Sequence, residues 1–318
     1  MPLSWDPDFA KVFVPFQALK PPKPAVHDVQ TRRHNLDASY GALFAALPDV
    51  SDVQHTIHQV KSSDGHTISV YRFFPKSWTP EAAPGPALLH THGGGMIQGN
   101  VKLFIKPMSL MVQETGVQIF SVDYRLAPEH RNQTEDAYAG LVWLHENADK
   151  FAVDRSRIAT YGESAGGNLA TALALLARDR GLSPPLAKQI LIYPMLDDRN
   201  TIPNPEVEQF ATWTAADNIT AWSALLGEDG IGKDDVSPYV APARAKSLEG
   251  LPPTYIDVGE LDIFRDESIA YAARIAAANI SLEFHVYPGV NHGFDALAPR
   301  IPVTQRALEN RYRVFKSL

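Results

Sequence analysis

Six short apolar runs, at residues 87–90, 117–122, 158–161, 189–193, 254–258 and 282–287, are separated by stretches long enough for crossover helices at 101–115, 134–150, 165–180 and 265–278. Strands and helices alternating in this way predict a mostly parallel sheet covered on both faces, because a parallel connection has to cross the sheet to return. Ahead of these runs, Asp64 and Gly65 signal a hairpin between 57–61 and the alternating Ile68, Val70, Arg72 and Phe74. A linker of Pro, Ala and Gly at 80–86 follows. At 318 residues the chain has room for two ordinary domains or one large α/β unit, and the pattern favours one unit over 51–318.

Two segments stand outside the alternation. In residues 1–50, Phe9, Val12, Phe13 and Phe16 fall at helical spacing, and after a break at Pro21, Pro22 and Pro24 come Leu36, Tyr40, Leu43 and Leu47. Nothing in the spacing assigns these helices a part in holding the core. Residues 199–245, rich in Pro, Asp and Trp, are the natural place for an inserted lid.

The chain has no cysteine, which excludes disulfide scaffolds, thiol nucleophiles and cysteine-bound zinc. Thirty-six acidic and 29 basic residues give a net charge of −7 without long runs of one sign, so nucleic acid is not an expected partner. The start of the chain has no basic region followed by an apolar one. The longest apolar stretch, 169–177, is far short of the roughly 20 residues of a membrane span. The expected location is cytoplasmic.

Gly162, Glu163, Ser164, Ala165 and Gly166 spell G-x-S-x-G between the run 158–161 and the helical stretch that follows. That context is a nucleophile elbow, a tight strand-to-helix turn that presents the serine and aims the helix N-terminal amides at a developing oxyanion. Some 70 residues earlier stand His92, Gly93, Gly94 and Gly95. Successive glycines are conformationally costly, and a loop whose amides must approach a substrate oxygen is a reason to keep them. The two motifs explain each other: one supplies the nucleophile, the other the oxyanion site together with the amide of Ala165. His92 reads as a packing residue that fixes this loop. His90 and His92 share a strand end as metal ligands can, but no third ligand is near, so no metal is expected.

A serine hydroxyl needs a base, and the base an orienting acid, in the chain order Ser, Asp/Glu, His. Beyond Ser164 the chain has only His285, inside a strand run, and His292, in the loop 288–293 past that strand's C-terminal end. Open α/β sheets place their sites at such ends, which selects His292. Asp262, just beyond the run 254–258, is the preferred acid over mid-strand Asp257, with Glu260 and Asp266 as competitors.

HGGG, the run Val122-Asp123-Tyr124-Arg125-Leu126-Ala127-Pro128-Glu129-His130, the string from Gly162 to Ala170 and the terminal Asn291-His292-Gly293-Phe294 together resemble the hormone-sensitive lipase-like branch of the α/β-hydrolases. The resemblance runs from about residue 55 to the C-terminus. It implies an α/β-hydrolase fold with a mostly parallel central sheet flanked by helices and a helical cap built from 1–50 and 199–245. It implies Ser164 as nucleophile, Asp262 as acid and His292 as base, with Gly94, Gly95 and Ala165 as oxyanion donors and Gly93 as an alternative to either glycine. Glu163 stands where many members have Asp, and Met96 where an aromatic is frequent. Both are expected at the acyl pocket, and Phe210, Trp213 and Trp222 become pocket or cap residues. Arg125 and Glu129 are expected to pair with each other and hold a loop.

The expected activity is hydrolysis of small carboxylic esters, of short to medium chain by resemblance, through an acyl-enzyme and without a cofactor. Resemblance also allows a homodimer. Acyl transfer, or cleavage of an amide or lactone, would use the same triad. A small-molecule receptor of this fold would not need Ser164, Asp262 and His292 intact.

Overall fold

The computed structural model describes residues 2–17 and 23–318. Strands β1 (Val53–Lys61), β2 (Thr67–Pro75), β3 (Gly85–Thr91), β4 (Gln118–Asp123), β5 (Val153–Glu163), β6 (Lys188–Ile192), β7 (Thr254–Gly259) and β8 (Leu282–Tyr287) form one sheet in the order β1-β2-β4-β3-β5-β6-β7-β8. The β1–β2 and β2–β4 pairs are antiparallel, and the β3–β4, β3–β5, β5–β6, β6–β7 and β7–β8 pairs are parallel. Every run foreseen as a strand is one, and the hairpin turns at Asp64 and Gly65.

Helices α1 (Pro7–Gln17) and α2 (Val29–Ala45) precede the sheet; α3 (Ile105–Thr115), α4 (Gln133–Glu146), α5 (Ala165–Asp179), α6 (Pro205–Glu208), α7 (Ala215–Leu226) and α8 (Arg265–Ala277) lie between strands; α9 (Phe294–Leu297) and α10 (Pro302–Lys316) follow β8. Neighbouring strand residues point to opposite faces. Accordingly Leu89 and Phe120 enter a core with α4, α5 and α8, while Leu88 and Ile119 enter a second core with α1, α3 and α10. Helix α5 is buried at every residue from Ala165 to Ala177, which is why its sequence is apolar all round. None of the described helices is long and apolar enough to cross a membrane.

The N-terminal segment does more than cover the molecule. Phe9 and Phe13 are fully buried in the second core with Val290 and Phe294, and the amide of Asp6 donates to the carbonyl of Gly289. Val12, on the same foreseen stripe, is exposed. The break at Pro21 and Pro22 lies outside the described residues, and Pro24 precedes α2, whose first turn is capped by Asp28 accepting from the amide of Thr31.

Two adjacent arginines of α2 tie it down. Arg33 donates to the carbonyls of Ile97 and Ala127 at 2.6 and 2.8 Å and forks onto Glu129 at 2.9 and 2.7 Å. Arg32 donates to Asp217 of α7 at 2.8 Å. The expected Arg125–Glu129 pair is therefore not formed. Arg125 instead grips the buried carboxylate of Asp136 on α4 and also reaches Asp64, leaving Glu129 to Arg33. Burial works against a charged Asp136, yet hydrogen bonds from Arg125 and Ser62 hold its carboxyl below the usual carboxylate range.

Candidate active site

Ser164 sits between β5 and α5 with φ +58° and ψ −121°, a left-handed conformation that a non-glycine residue holds only when its surroundings impose it. Here its amide donates to the carbonyl of Ile192 at 2.8 Å, and its own carbonyl receives the amide of Met195 at 3.1 Å. The turn closes against β3 so tightly that a Cβ on Gly166 would stand 1.9 Å from the carbonyl oxygen of Thr91. Any side chain there would push the elbow off the sheet.

The loop after β8 brings His292 to this turn. His292 Nε2 lies 2.9 Å from Ser164 Oγ, and His292 Nδ1 lies 2.7 Å from Asp262 Oδ2. Asp262 is buried, and its other oxygen accepts from the amide of Phe264 at 2.9 Å. The ring edges of Tyr193 and Phe264 meet the imidazole with centroids at 4.6 and 5.1 Å. The loop itself is held by the inserted segment: Thr212 Oγ1 donates to the carbonyl of His292, and Asn291 Nδ2 to that of Phe210, each at 2.7 Å.

The rival residues are engaged elsewhere. Glu260 accepts from the amide of Gly289, Asp266 pairs with Arg265 at the surface, and His285 meets Glu283. Asp257 receives a forked pair of bonds from the buried guanidinium of Arg311 at 2.7 and 2.8 Å. Arg311 also pairs with Asp295, whose carboxylate accepts from the Tyr193 hydroxyl at 2.8 Å. This buried chain from β7 to Tyr193 supports the imidazole from behind. It was not foreseen, because its partners are dispersed over four elements. Glu267 accepts from the amide of Leu196 and from Asn200 Nδ2, and burial pushes its carboxyl well above the usual range.

The HGGG loop runs beside the elbow. Gly94 has φ +122°, and a Cβ there would stand 2.1 Å from the carbonyl oxygen of Gln98, so only glycine fits. Glu163 sets the loop's position: Oε1 accepts from the amide of Gly93 at 2.9 Å, and Oε2 lies 2.9 Å from His90 Nε2, whose Nδ1 faces the Ser121 hydroxyl at 2.7 Å. The amide of Gly93 is thus already used. Those of Gly94, Gly95 and Ala165 donate to no acceptor among the described residues. His92 is buried, stacks on Tyr124 at 4.2 Å and shares its Nδ1 with the carbonyl of Gly93 at 2.8 Å. Its place is loop packing. Among the described residues no group of three His, Asp or Glu is arranged to hold a metal ion.

In front of Ser164 opens a cavity of about 170 Å³, walled by α2 (Leu36, Tyr40, Phe44), by α3 and by the C-terminal helices. Glu163, Gly93, Gly94 and Trp213 also line it. Trp213 covers the oxyanion loop: a Cβ on Gly95 would stand 2.5 Å from its ring. The other pocket candidates lie elsewhere. Met96 and Trp222 are 2% and 0% exposed and belong to the first core, Trp222 from α7, rather than to the cavity wall. Phe210 packs edge-on against Trp5 at 4.9 Å and contributes its carbonyl to Asn291.

Residues 88–296 match the family described as alpha/beta hydrolase fold. The carboxylesterase NlhH of Mycobacterium tuberculosis is 36% identical over 268 residues, 82% of this chain and 81% of its own. An ethyl acetate hydrolase of Pseudomonas putida is 31% identical over 276 residues, 86% and 85% of the two chains. Among solved structures, a bacterial heroin esterase superposes with a TM-score of 0.88 at 35% identity, covering 99% of this chain and 98% of that one. By its strand order, its motifs and these likenesses, the chain belongs to the hormone-sensitive lipase-like branch of the α/β-hydrolase family, among the carboxylic ester hydrolases.

Proposed function

We propose that this chain hydrolyses short- to medium-chain carboxylic esters through an acyl-enzyme carried on Ser164. The observation that carries the reading is the unbroken line from Asp262 through His292 to Ser164, with bonds of 2.7 and 2.9 Å, at the floor of an apolar cavity. His292 Nε2 takes the Ser164 proton as Oγ attacks the ester carbonyl, and Asp262 holds the other ring nitrogen in its protonated tautomer and stabilises the imidazolium. The oxyanion receives the amides of Gly94, Gly95 and Ala165, which have no other acceptor among the described residues, whereas the Gly93 amide is spent on Glu163. The imidazolium then protonates the leaving alcohol, and water activated by the same base releases the acid.

Residues 1–50 and 199–245 act as the cap. Support comes from Leu36, Tyr40 and Trp213 in the cavity wall and from the Arg32–Asp217 bond that joins the two segments. The small cavity favours short and medium acyl chains. Rapid-mixing hydrolysis of p-nitrophenyl acetate, butyrate, hexanoate and dodecanoate tests the reading. A burst of p-nitrophenol equal to the enzyme present, with the highest kcat/KM at or below hexanoate, is expected where deacylation limits. No turnover of any of the four would overturn the esterase reading, and a maximum at dodecanoate would overturn the chain-length reading.

A further inference from the structure

We infer that the cavity selects esters bearing a cationic group, an amine or quaternary ammonium, over neutral esters of the same shape, and rejects esters bearing a carboxylate. This specifies the substrate class of the esterase reading above and rests on it. Among the described residues the carboxylates in the cavity wall are Glu163 and Asp295, and neither Lys nor Arg lines it. Asp295 shares the single guanidinium of Arg311 with Asp257, two carboxylates to one cation, so the cluster keeps a negative charge. Glu163 Oε1 accepts from the amide of Gly93 and Oε2 lies 2.9 Å from His90 Nε2, with no Lys or Arg bonded to it among the described residues.

Aromatic faces complete the site. Tyr40, Phe104, Tyr161, Tyr193, Trp213 and Tyr312 line the same cavity, and π-faces attract a cation while asking little desolvation of a quaternary ammonium. The phenols register the field: burial first, then the charges of Asp295 and Glu163, push Tyr40 upward, and the same two carboxylates add to burial at Tyr161 and Tyr193, against partial opposition from Arg311. An anionic ester would lose its hydration against like charges, with no Lys or Arg among the described wall residues to receive it. A cation gains from both the rings and the carboxylates. Together these amount to a preference of about tenfold or more.

The test is kcat/KM for acetylcholine, for its carbon isostere 3,3-dimethylbutyl acetate, and for the anionic acetate ester of 4-hydroxybutanoate, at low salt and at about 0.5 M NaCl. The cationic ester should exceed the neutral one by about tenfold at both salt levels, and the anionic one should fall below it by a similar factor. Equal rates, or a preference that vanishes in salt, would overturn the inference, since the latter marks long-range steering by the net charge rather than contact in the cavity. Asp295→Asn should shrink the cation-to-neutral ratio several-fold. Because that change also touches Arg311, a second readout avoids it. Ser164→Ala protein should bind phenyltrimethylammonium about tenfold tighter than tert-butylbenzene by calorimetry, and equal binding would overturn the inference. If neither these three esters nor the p-nitrophenyl esters are hydrolysed, the esterase reading fails while the binding measurement still judges the cavity. If neutral esters are hydrolysed without charge preference, only this inference fails.

Discussion

Replacing Trp213 by Ala separates a wall of the substrate cavity from ordinary packing. The half-buried ring lies on Gly95 on one side and borders the cavity on the other, and its Nε1 donates to Asn218 Oδ1 at 3.2 Å. Truncation removes cavity wall and lets one or two further methylenes of an acyl chain be buried. At about 0.8 kcal/mol for each methylene, that is a rise of roughly 4- to 15-fold in the hexanoate-to-acetate ratio of kcat/KM. The same change costs packing and one hydrogen bond. Full Trp truncations in cores cost about 3–5 kcal/mol, and a ring with one free face should cost about 1–3 kcal/mol. Phe210→Ala is the internal control. Its ring meets Trp5 away from the cavity, so its loss should lower the melting temperature and leave the ratio unchanged. Both variants are assayed on p-nitrophenyl acetate, butyrate and hexanoate, with thermal unfolding of the same preparations. An unchanged ratio in Trp213→Ala, or an equal shift in Phe210→Ala, would refute the placement of the wall.

Other consequences follow from single contacts. Asp262→Asn should lower kcat by about 10⁴ through the wrong imidazole tautomer, while Glu260→Gln, which disturbs only the bond to the Gly289 amide, should stay within about tenfold of wild type; the reverse order would reassign the acid. Arg33→Ala removes two bonds to buried carbonyls and an exposed pair to Glu129, and should cost about 2–4 kcal/mol of stability in urea unfolding, nearly all of it retained in high salt because the exposed pair contributes least. Asp136 has a depressed carboxyl in the folded protein, so its contribution is complete above the unfolded value of about 3.9 and is lost as pH falls through the lower folded value. Unfolding free energy measured from pH 6 to pH 2 should fall more steeply for wild type than for Asp136→Asn, and parallel curves would contradict the sign.

Local pattern made the sheet legible. The six strands β3 to β8 and the helices after β3, β4, β5 and β7 show as apolar runs and helical stretches, because burial in a parallel sheet writes itself into consecutive residues, while β1 and β2 show through their hairpin turn and the alternation of β2. Helix α10 escaped notice: its buried stripe of Val303, Ala307, Val314 and Phe315 is diluted by polar residues and includes Arg311, which is buried through its ion pairs. Chain order and strand ends proposed Ser164, Asp262 and His292, and the structure brings both Ser164 and Asp262 within hydrogen-bond distance of His292. Pairings across the fold were not legible in this way. Arg33 and Glu129 are 96 residues apart, so local sequence favours Arg125 as the partner of Glu129, whereas the fold gives Arg125 to Asp136. The pocket aromatics failed for a similar reason. Trp213 and Trp222 look alike in sequence, and only their placement at the start and in the middle of the insertion's helical region turns one to the cavity and the other to the core.

The role given to Ser164 is tested most directly by labelling with a p-nitrophenyl phosphonate, followed by intact mass and peptide mapping. One phosphonyl group for each chain should appear on the peptide holding Ser164, with hydrolysis lost in step, and Ser164→Ala should take no label and retain a folded far-UV spectrum while its kcat falls by about 10⁵ or more. Label on another residue, or ester hydrolysis by Ser164→Ala at a rate near wild type, would contradict the assignment.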